Sequence, residues 1–313
     1  MTRKNIFYQT VVGVVLGGVV LYFAIVELNV YGQKPSGEKI SVHQSESQSL
    51  TTSDNTENNS TAVYSAAFVR AAAENTRLKD SLRWDFGGKL QSGWSIYSAL
   101  INQTVKTAGS VGSPEFARAI SVWQARSQLS PTGVIDRETL EAFIKIWQSQ
   151  RLNRSTFTSP DKLYSAPISD FYDLTRNAEL LKCERRTYAA YRQMLQAAAK
   201  DPSLSLKLTK TGELASEEKF LRIISAFRSR EYQDQLRKKE PNAGRAQLAK
   251  HSPHFTGHAI DIYVGGDPVS TKDANRTLQV QTPVYKWLVK NAHRFGFYPY
   301  FYEPWHWEFV PGK

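Results

Sequence analysis

The chain has 313 residues, of which 41% are hydrophobic and 22% are charged, so a wholly disordered or fibrous protein is excluded. Its 40 lysines and arginines against 29 aspartates and glutamates give a net charge of +11, which favours anionic partners such as nucleic acid, membrane surfaces or acidic wall polymers. The single cysteine, Cys183, excludes an intramolecular disulfide and a cysteine-based zinc cluster.

An uncharged apolar stretch near the N-terminus predicts a membrane anchor within residues 1–30. Residues 5–26 contain the run VVGVVLGGVVLYFAIV, and at about 1.5 Å per residue a helix of this length crosses most of a roughly 30 Å hydrocarbon layer. The residues that follow lack the small-residue exit of a cleaved signal peptide, which stays the alternative. Because Arg3 and Lys4 precede the run, we expect the N-terminus to lie in the cytoplasm and the rest of the chain to be exported across the membrane.

Two segments of different composition follow the predicted anchor. Residues 31–62 are dominated by polar side chains and cannot bury enough apolar surface to offset the entropy of ordering, so we expect a disordered linker. Residues 63–150 have the pattern of short helices. Ser113 and Asp136 are predicted N-caps, and apolar residues follow each of them at helical spacing.

The second half of this helical segment contains Trp123-Gln124 and the run TGVID, which begins at Thr132. These residues resemble the peptidoglycan-binding module of bacterial wall hydrolases. The resemblance implies a small helical bundle that binds the cell wall. A degenerate module that serves only as a spacer is the alternative.

Residues 160–313 have the mixed pattern of helices and strands. Strands are predicted over residues 221–227, 259–264 and 306–310, and helices over residues 187–199 and 283–295. In the last strand, the alternation of side chains sends His306 and Glu308 to the same side.

Two runs in this region have the composition of a metal centre. One is SPHFTGHAID, which begins at Ser252, and the other is EPWHW, which begins at Glu303. A catalytic zinc takes three nitrogen or carboxylate ligands and leaves one position open. His254, Asp261 and His306 supply such a set. Glu303 precedes the last of them by three residues and is placed to act as a general base.

Both runs resemble the VanY-like zinc D-alanyl-D-alanine carboxypeptidases, which are related to the VanX dipeptidases and to some phage endolysins. The first run is a complete Ser-x-His-x-x-Gly-x-Ala-x-Asp motif, and the second is Glu-Pro-Trp-His-Trp. The segment SAFRSREYQ, which begins at Ser225, is similar to the upstream arginine motif of that family. The three motifs occur in the family's order and span residues 225–307.

The resemblance implies an α+β fold with a central antiparallel sheet and one Zn²⁺ per chain. Arg228 would polarise the scissile carbonyl and stabilise the oxyanion that forms there. Glu308 departs from many relatives, which have a basic residue at this position, and we expect a surface role for it. The implied site residues are catalytic Glu303 and Arg228, substrate-binding Ser252 and Gln233, and metal-binding His254, Asp261 and His306.

The predicted function is removal of the C-terminal D-alanine from peptidoglycan stem peptides by a membrane-anchored enzyme, on the periplasmic or wall side of a bacterial cytoplasmic membrane. Three alternatives stay open: a stem-peptide endopeptidase, an L,D-carboxypeptidase of the same fold, and a non-catalytic wall-binding scaffold. The positive charge alone would fit a nucleic-acid partner. We expect none, because the chain is predicted to be exported and has no basic–aromatic binding motif.

Overall fold

The computed structural model describes residues 64–152, 157–239 and 252–312. All of these residues belong to one unit, Ser60–Lys313. The predicted membrane anchor (residues 1–30) and linker (residues 31–62) lie outside the described residues. Within the described ranges, no helix combines the length and the apolar character needed to cross a membrane.

Helices dominate residues 64–150, which we call the helical module, whereas helices and strands alternate in residues 157–312, which we call the C-terminal region. The α-helices are α1 (Ala66–Ser81), α2 (Ser98–Val105), α3 (Pro114–Arg126), α4 (Arg137–Ser149), α5 (Arg185–Ala199), α6 (Arg230–Lys239), α7 (Asp273–Gln281) and α8 (Pro283–Asn291). The strands are β1 (Arg83–Phe86), β2 (Lys89–Ser92), β3 (Leu163–Ser165), β4 (Lys182–Glu184), β5 (Ile223–Ser225), β6 (Ala259–Ile262), β7 (Phe297–Pro299) and β8 (His306–Phe309).

The two predicted helix caps of the module are confirmed. The Ser113 hydroxyl accepts a hydrogen bond from the Phe116 backbone N–H at 3.1 Å. The Asp136 carboxylate accepts one from the Thr139 backbone N–H at 2.8 Å. Each side chain thereby satisfies a donor that the first turn of its helix leaves unpaired.

A β-hairpin, β1–β2, lies between α1 and α2, where the sequence pattern did not predict strands. Gly87 and Gly88 form its turn with φ values of +60° and +77°. Both positions need the left-handed region, which glycine adopts without a steric penalty. The helical module is therefore not made of helices alone.

Asn75 joins the first helix of the module to the loop before the last one. Its side chain is fully buried, donates to the Gly133 carbonyl at 2.8 Å and accepts from the Ile135 N–H at 2.8 Å. Gly133 has a φ of +73°, and a Cβ added there would lie 2.7 Å from the Ala117 carbonyl oxygen. The loop can approach α3 this closely only because residue 133 is glycine.

The C-terminal region is built on a four-stranded antiparallel sheet in the order β5-β6-β8-β7. Strands β5, β6 and β8 fall within the predicted segments 221–227, 259–264 and 306–310, although each is shorter than predicted. The edge strand β7 was not predicted. Helices α5 and α8 match the two predicted helices, and α8 ends before a short 3₁₀ turn that Gly296 closes at a φ of +79°. The expected α+β class is confirmed.

The helical module and the C-terminal region share one hydrophobic core. The Phe301 ring contacts three different parts of the module: the ring of Phe86 at 4.8 Å, Tyr97 at 5.5 Å and Trp147 at 6.1 Å between centroids. In addition, buried Arg276 donates to the Tyr97 hydroxyl at 2.7 Å. The module thus packs directly behind the turn that carries residues 301–303.

Candidate metal centre and active site

Two neighbouring strands and one short turn position the predicted metal ligands. Asp261 of β6 lies directly opposite His306 of β8 in the antiparallel register. His254 lies in the 3₁₀ turn Pro253–Thr256, which precedes β6 and ends at Gly257 with a φ of +69°. A Cβ on Gly257 would lie 3.0 Å from the Glu184 Cβ, so a side chain there would displace the turn.

The structure brings the three predicted ligands together. His254, Asp261 and His306 are all buried, and one side-chain ligand atom of each lies within 4.8 Å of the others. The His254 Nε2 is 3.3 Å from one Asp261 oxygen, and the His306 Nδ1 is 2.9 Å from the other. This group could hold a metal ion.

The hydrogen bonding of His254 tests whether the group fits a cation. Its Nδ1 lies 2.6 Å from the Ala226 carbonyl oxygen, which can only accept, so Nδ1 carries the proton. The Nε2 then presents a lone pair, and this buried atom has no hydrogen-bond partner among the described residues. A lone pair facing the Asp261 carboxylate at 3.3 Å leaves two buried acceptors that a bound cation would satisfy.

The charges in the cluster follow from the same contacts. Burial and the nearby Arg228 lower the pKa of His254 to about 4, so its imidazole is neutral. Burial also opposes the charged form of His306, but its hydrogen bonds to Asp261 and Glu308 outweigh burial and raise its pKa to about 9. Although burial favours protonation of Asp261, the two histidines hold the pKa of Asp261 well below its usual range.

Glu303 lies beside the cluster without belonging to it. The His306 N–H donates to the Glu303 backbone carbonyl at 2.9 Å, so a tight turn holds the two residues together. Burial raises the pKa of the Glu303 carboxyl to about 7, and its Oε1 has no hydrogen-bond partner among the described residues. A carboxyl with a pKa near neutrality can both accept and return a proton, as a general base and acid must.

Arg228 follows β5 and points toward the same carboxylates. Its guanidinium lies 3.7 Å from Asp261 Oδ2 and donates to the Gln233 side-chain oxygen at 3.0 Å. Burial lowers the pKa of Arg228, whereas Asp261 and Glu303 raise it. Its ion pair is therefore with a predicted metal ligand and not with the neighbouring Glu231.

The two predicted substrate-binding residues are placed behind these groups. Gln233 is buried in α6 and accepts the hydrogen bond from Arg228. Ser252 is buried at the start of the 3₁₀ turn, where its hydroxyl accepts from the His254 N–H at 3.3 Å. Gln233 therefore holds the Arg228 side chain and Ser252 caps the turn that carries His254, and the contact of both residues with substrate stays a prediction.

A cavity of about 250 Å³ opens onto the cluster. Asp261, Glu303 and Arg228 line it together with Trp305 and a second arginine, Arg176. Sequence reasoning missed Arg176, which lies 52 residues before Arg228 in a segment without a recognisable motif. Only the folded chain places the two arginines in one cavity.

Residues 180–312 match a family model, VanY, described as D-alanyl-D-alanine carboxypeptidase. Over this stretch the chain is similar to the VanY family, and we call the stretch the VanY-like domain. The match confirms the resemblance drawn from the three motifs and supports a carboxypeptidase-type peptidoglycan hydrolase. A search of curated proteins gave no match. The family match does not include residues 63–150, so the likeness of the helical module to peptidoglycan-binding modules stays a prediction.

Glu308 of the VanY-like domain is buried, so the expected surface role is wrong. Its Oε1 accepts hydrogen bonds from Arg151, including one from Nε at 3.0 Å, and its Oε2 accepts from the Leu152 N–H at 2.9 Å. The same carboxylate lies 3.1 Å from the His306 Nε2, as the predicted alternation of β8 requires. Arg151 follows the helical module and supplies the charge that makes burial of Glu308 tolerable.

The remaining candidate side chains of the domain lie outside the cluster. His258 turns away from it, with its Nδ1 2.9 Å from the Thr187 hydroxyl. His293 is exposed. Cys183 is fully buried, and burial raises the pKa of its thiol well above the usual range. A buried neutral thiol does not form a disulfide between folded chains.

Proposed function

We propose that this protein is a zinc metallopeptidase that removes the C-terminal D-alanine from peptidoglycan stem peptides. The observation that carries the proposal is the pair of buried acceptors, His254 Nε2 and Asp261 Oδ2, which face each other at 3.3 Å inside a VanY-like domain. Two imidazoles and one carboxylate are a common ligand set for catalytic zinc.

Each functional side chain has a defined task in this proposal. Zinc bound by His254, Asp261 and His306 supplies Lewis acidity, which polarises a carbonyl and lowers the pKa of water. The Glu303 carboxylate takes the proton of the attacking water and later delivers it to the nitrogen of the departing D-alanine. Its pKa of about 7 suits both transfers.

Arg228 stabilises the negative charge that develops on the scissile carbonyl oxygen. Its guanidinium is largely buried, lines the cavity and is held in place by Gln233. Because an oriented donor in a water-poor site needs no reorganisation during the reaction, its contribution is greatest in the transition state.

We also propose that the enzyme acts on the outer side of the cytoplasmic membrane. Support comes from the sequence alone: an apolar run within residues 1–30, positive charge before it and a polar linker over residues 31–62. An anchor and linker would keep the enzyme close to newly made wall material.

The decisive experiment is incubation of the zinc-loaded protein with defined muropeptides, followed by mass analysis of the products. We expect loss of one D-alanine from pentapeptides and no change in tetrapeptides. Loss of D-alanine from tetrapeptides would instead support an L,D-carboxypeptidase, and internal cleavage would support an endopeptidase. If no product forms although zinc is bound, the result would support the alternative of a non-catalytic wall-binding scaffold.

A further inference from the structure

Arg176 is a second positive charge in the cavity, and neither the three motifs nor the proposed chemistry uses it. It precedes the segment matched by the family model, residues 180–312. Its side chain nevertheless lines the same cavity as Arg228, Asp261 and Glu303. The cavity therefore contains one arginine, Arg176, in addition to the one that oxyanion stabilisation requires.

The Arg176 side chain is held in place by neutral groups only. One terminal nitrogen donates to the Ile224 carbonyl of β5, and the guanidinium lies 5.8 Å from the centre of the Phe171 ring. Its Nε is buried and has no hydrogen-bond partner among the described residues. No carboxylate in the described part of the chain forms an ion pair with it.

The charge balance of the cavity favours an anionic ligand group. Burial lowers the pKa of Arg176, and although the charges of Asp173 and Asp261 raise it, neither carboxylate forms an ion pair with this residue. Asp261 already faces Arg228 at 3.7 Å and His254 at 3.3 Å. Asp261 and Glu303 also line the cavity, but neither forms an ion pair with Arg176. Since a guanidinium keeps its charge at any physiological pH, Arg176 offers the cavity a positive charge that an anionic ligand group would pair with.

We propose that Arg176 binds the C-terminal carboxylate of the stem peptide. The inference rests on the proposed function and deepens it, because it names the group that makes the enzyme require a free chain end. A cavity of about 250 Å³ is smaller than the roughly 300 Å³ at which pockets for drug-sized ligands begin, and suits only the last residues of a peptide. Arg228 then serves the scissile carbonyl, and Arg176 the carboxylate one residue further on.

The test compares binding of two peptides that differ only at the chain end. Glu303→Gln in the full-length, zinc-loaded protein prevents turnover, so calorimetry can measure the Kd of a stem pentapeptide and of its C-terminal amide. We expect the background protein to prefer the free acid. Adding Arg176→Gln should weaken binding of the acid by about 10- to 100-fold and leave binding of the amide unchanged, because only the acid presents a charged partner.

Arg230→Gln is the matched control, since it removes the same charge from an exposed residue whose guanidinium lies over the Phe157 ring at 5.0 Å. It should keep the preference for the acid. Arg176→Lys is measured in parallel. It retains the positive charge, so it can be tested even if Arg176→Gln does not fold. We expect a smaller loss with lysine, since a point charge replaces a planar fork.

Two different results would overturn the inference, and they separate it from the proposed function. If Arg176→Gln weakens acid and amide equally, or neither, Arg176 does not recognise the carboxylate although the peptide is still a ligand. If the Glu303→Gln background binds neither peptide, the proposed substrate is wrong and the inference fails with it.

Discussion

Glu303 and Asp261 are two buried carboxyl groups near the same histidine, and their surroundings give them opposite protonation behaviour. Asp261 contacts both imidazoles, and these contacts keep it ionised despite its burial. The Glu303 Oε1 has no hydrogen-bond partner among the described residues, and burial outweighs the nearby charges of His306, Arg228 and Arg151 and raises the pKa of Glu303 to about 7. When the surroundings separate two pKa values in this way, the permanently ionised carboxylate, Asp261, suits metal binding and the titrating carboxyl, Glu303, suits proton transfer.

Glu303→Gln should therefore abolish turnover and leave the metal in place. The amide is nearly isosteric but cannot accept the proton, and loss of a general base costs about 10²- to 10⁴-fold in rate. Turnover of a stem pentapeptide and zinc content by elemental analysis are measured on the same sample. His306→Ala is the contrasting variant, because it removes a ligand and should lose zinc as well. Retained turnover in Glu303→Gln would place the base elsewhere.

Zinc should also stabilise the fold, because it would give a partner to the buried His254 Nε2, which has no hydrogen-bond partner among the described residues. At a hundredfold excess over its Kd, a ligand that binds only the folded state contributes about 2.7 kcal/mol. At roughly 2–4 °C per kcal/mol for a unit of about 150–250 residues, addition of zinc to the metal-free protein should raise its Tm by several degrees. His254→Ala should not respond. An equal rise in both proteins would indicate binding at another site.

At the scale of secondary structure, one buried amide holds two elements of the helical module in register. Asn75 of α1 satisfies a donor and an acceptor of the loop that precedes α4. Neither backbone group has access to water there, because Asn75 and Ile135 are fully buried. The helices of the module are thus fixed by a specific polar contact in addition to apolar packing.

Asn75→Ala should destabilise the protein by about 2–3 kcal/mol, since it removes two hydrogen bonds and leaves both backbone partners buried and unpaired. The free energy of unfolding in denaturant measures this loss. Arg70→Ala on the same helix is the control, because Arg70 is exposed and its removal should change stability by less than about 0.5 kcal/mol. Equal effects of the two substitutions would argue against a stabilising role for the Asn75 hydrogen bonds.

The sequence was sufficient for features that depend on neighbouring residues. The caps Ser113 and Asp136 were predictable, since each bonds a backbone group three residues away. So was the common side of His306 and Glu308 on β8, which the strand period dictates. The grouping of His254, Asp261 and His306 was also predictable, because these residues occur in recognisable sequence motifs.

Other features depend on contacts between distant parts of the chain and left no local signal. Arg151 and Glu308 are 157 residues apart in sequence. The residues around Glu308 therefore gave no sign that an arginine would pair with it and allow its burial. Arg176 reaches the cavity through its contact with Ile224, 48 residues further along the chain. The β1–β2 hairpin was missed because its two strands are only four residues each, which is too short for alternation to distinguish a strand from a helix.

At the scale of the whole molecule, the Arg151–Glu308 ion pair links the end of the helical module to a predicted zinc ligand. Arg151 packs its guanidinium 4.0 Å from the centre of the Tyr300 ring and binds Glu308, which in turn contacts His306. A carboxylate behind a metal-binding histidine fixes the orientation of the ring. The residue that follows the module therefore acts on the metal group through one intermediate side chain.

Arg151→Met should destabilise the protein by about 3–5 kcal/mol, because it removes the arginine that pairs with the buried Glu308 carboxylate and leaves only His306 beside it. It should also weaken zinc binding, which is measured by competition with a chromogenic chelator. The double substitution Arg151→Met with Glu308→Gln should recover much of the stability, since no unpaired charge is then buried. Full zinc affinity in the single variant would mean that the pair has no influence on the metal group.

The shared core predicts that the VanY-like domain does not fold without the helical module. A chain that begins at residue 60 should give a single cooperative unfolding transition and retain activity. A chain that begins at residue 160 would expose Phe301 and its neighbours, so we expect aggregation or loss of cooperative unfolding. Circular dichroism melting and size-exclusion chromatography distinguish the outcomes. A folded, active fragment from residue 160 would show that the module is dispensable.

The packing of Phe301 has a consequence for protein engineering. Its ring fills a space between Phe86, Tyr97 and Trp147, two residues before Glu303. Exchange of the helical module for another domain would assume that each part folds on its own. In this chain, a chimera joined at residue 150 would expose an aromatic surface directly behind Glu303, the proposed general base. A workable exchange would have to keep those three rings or replace Phe301 together with the module.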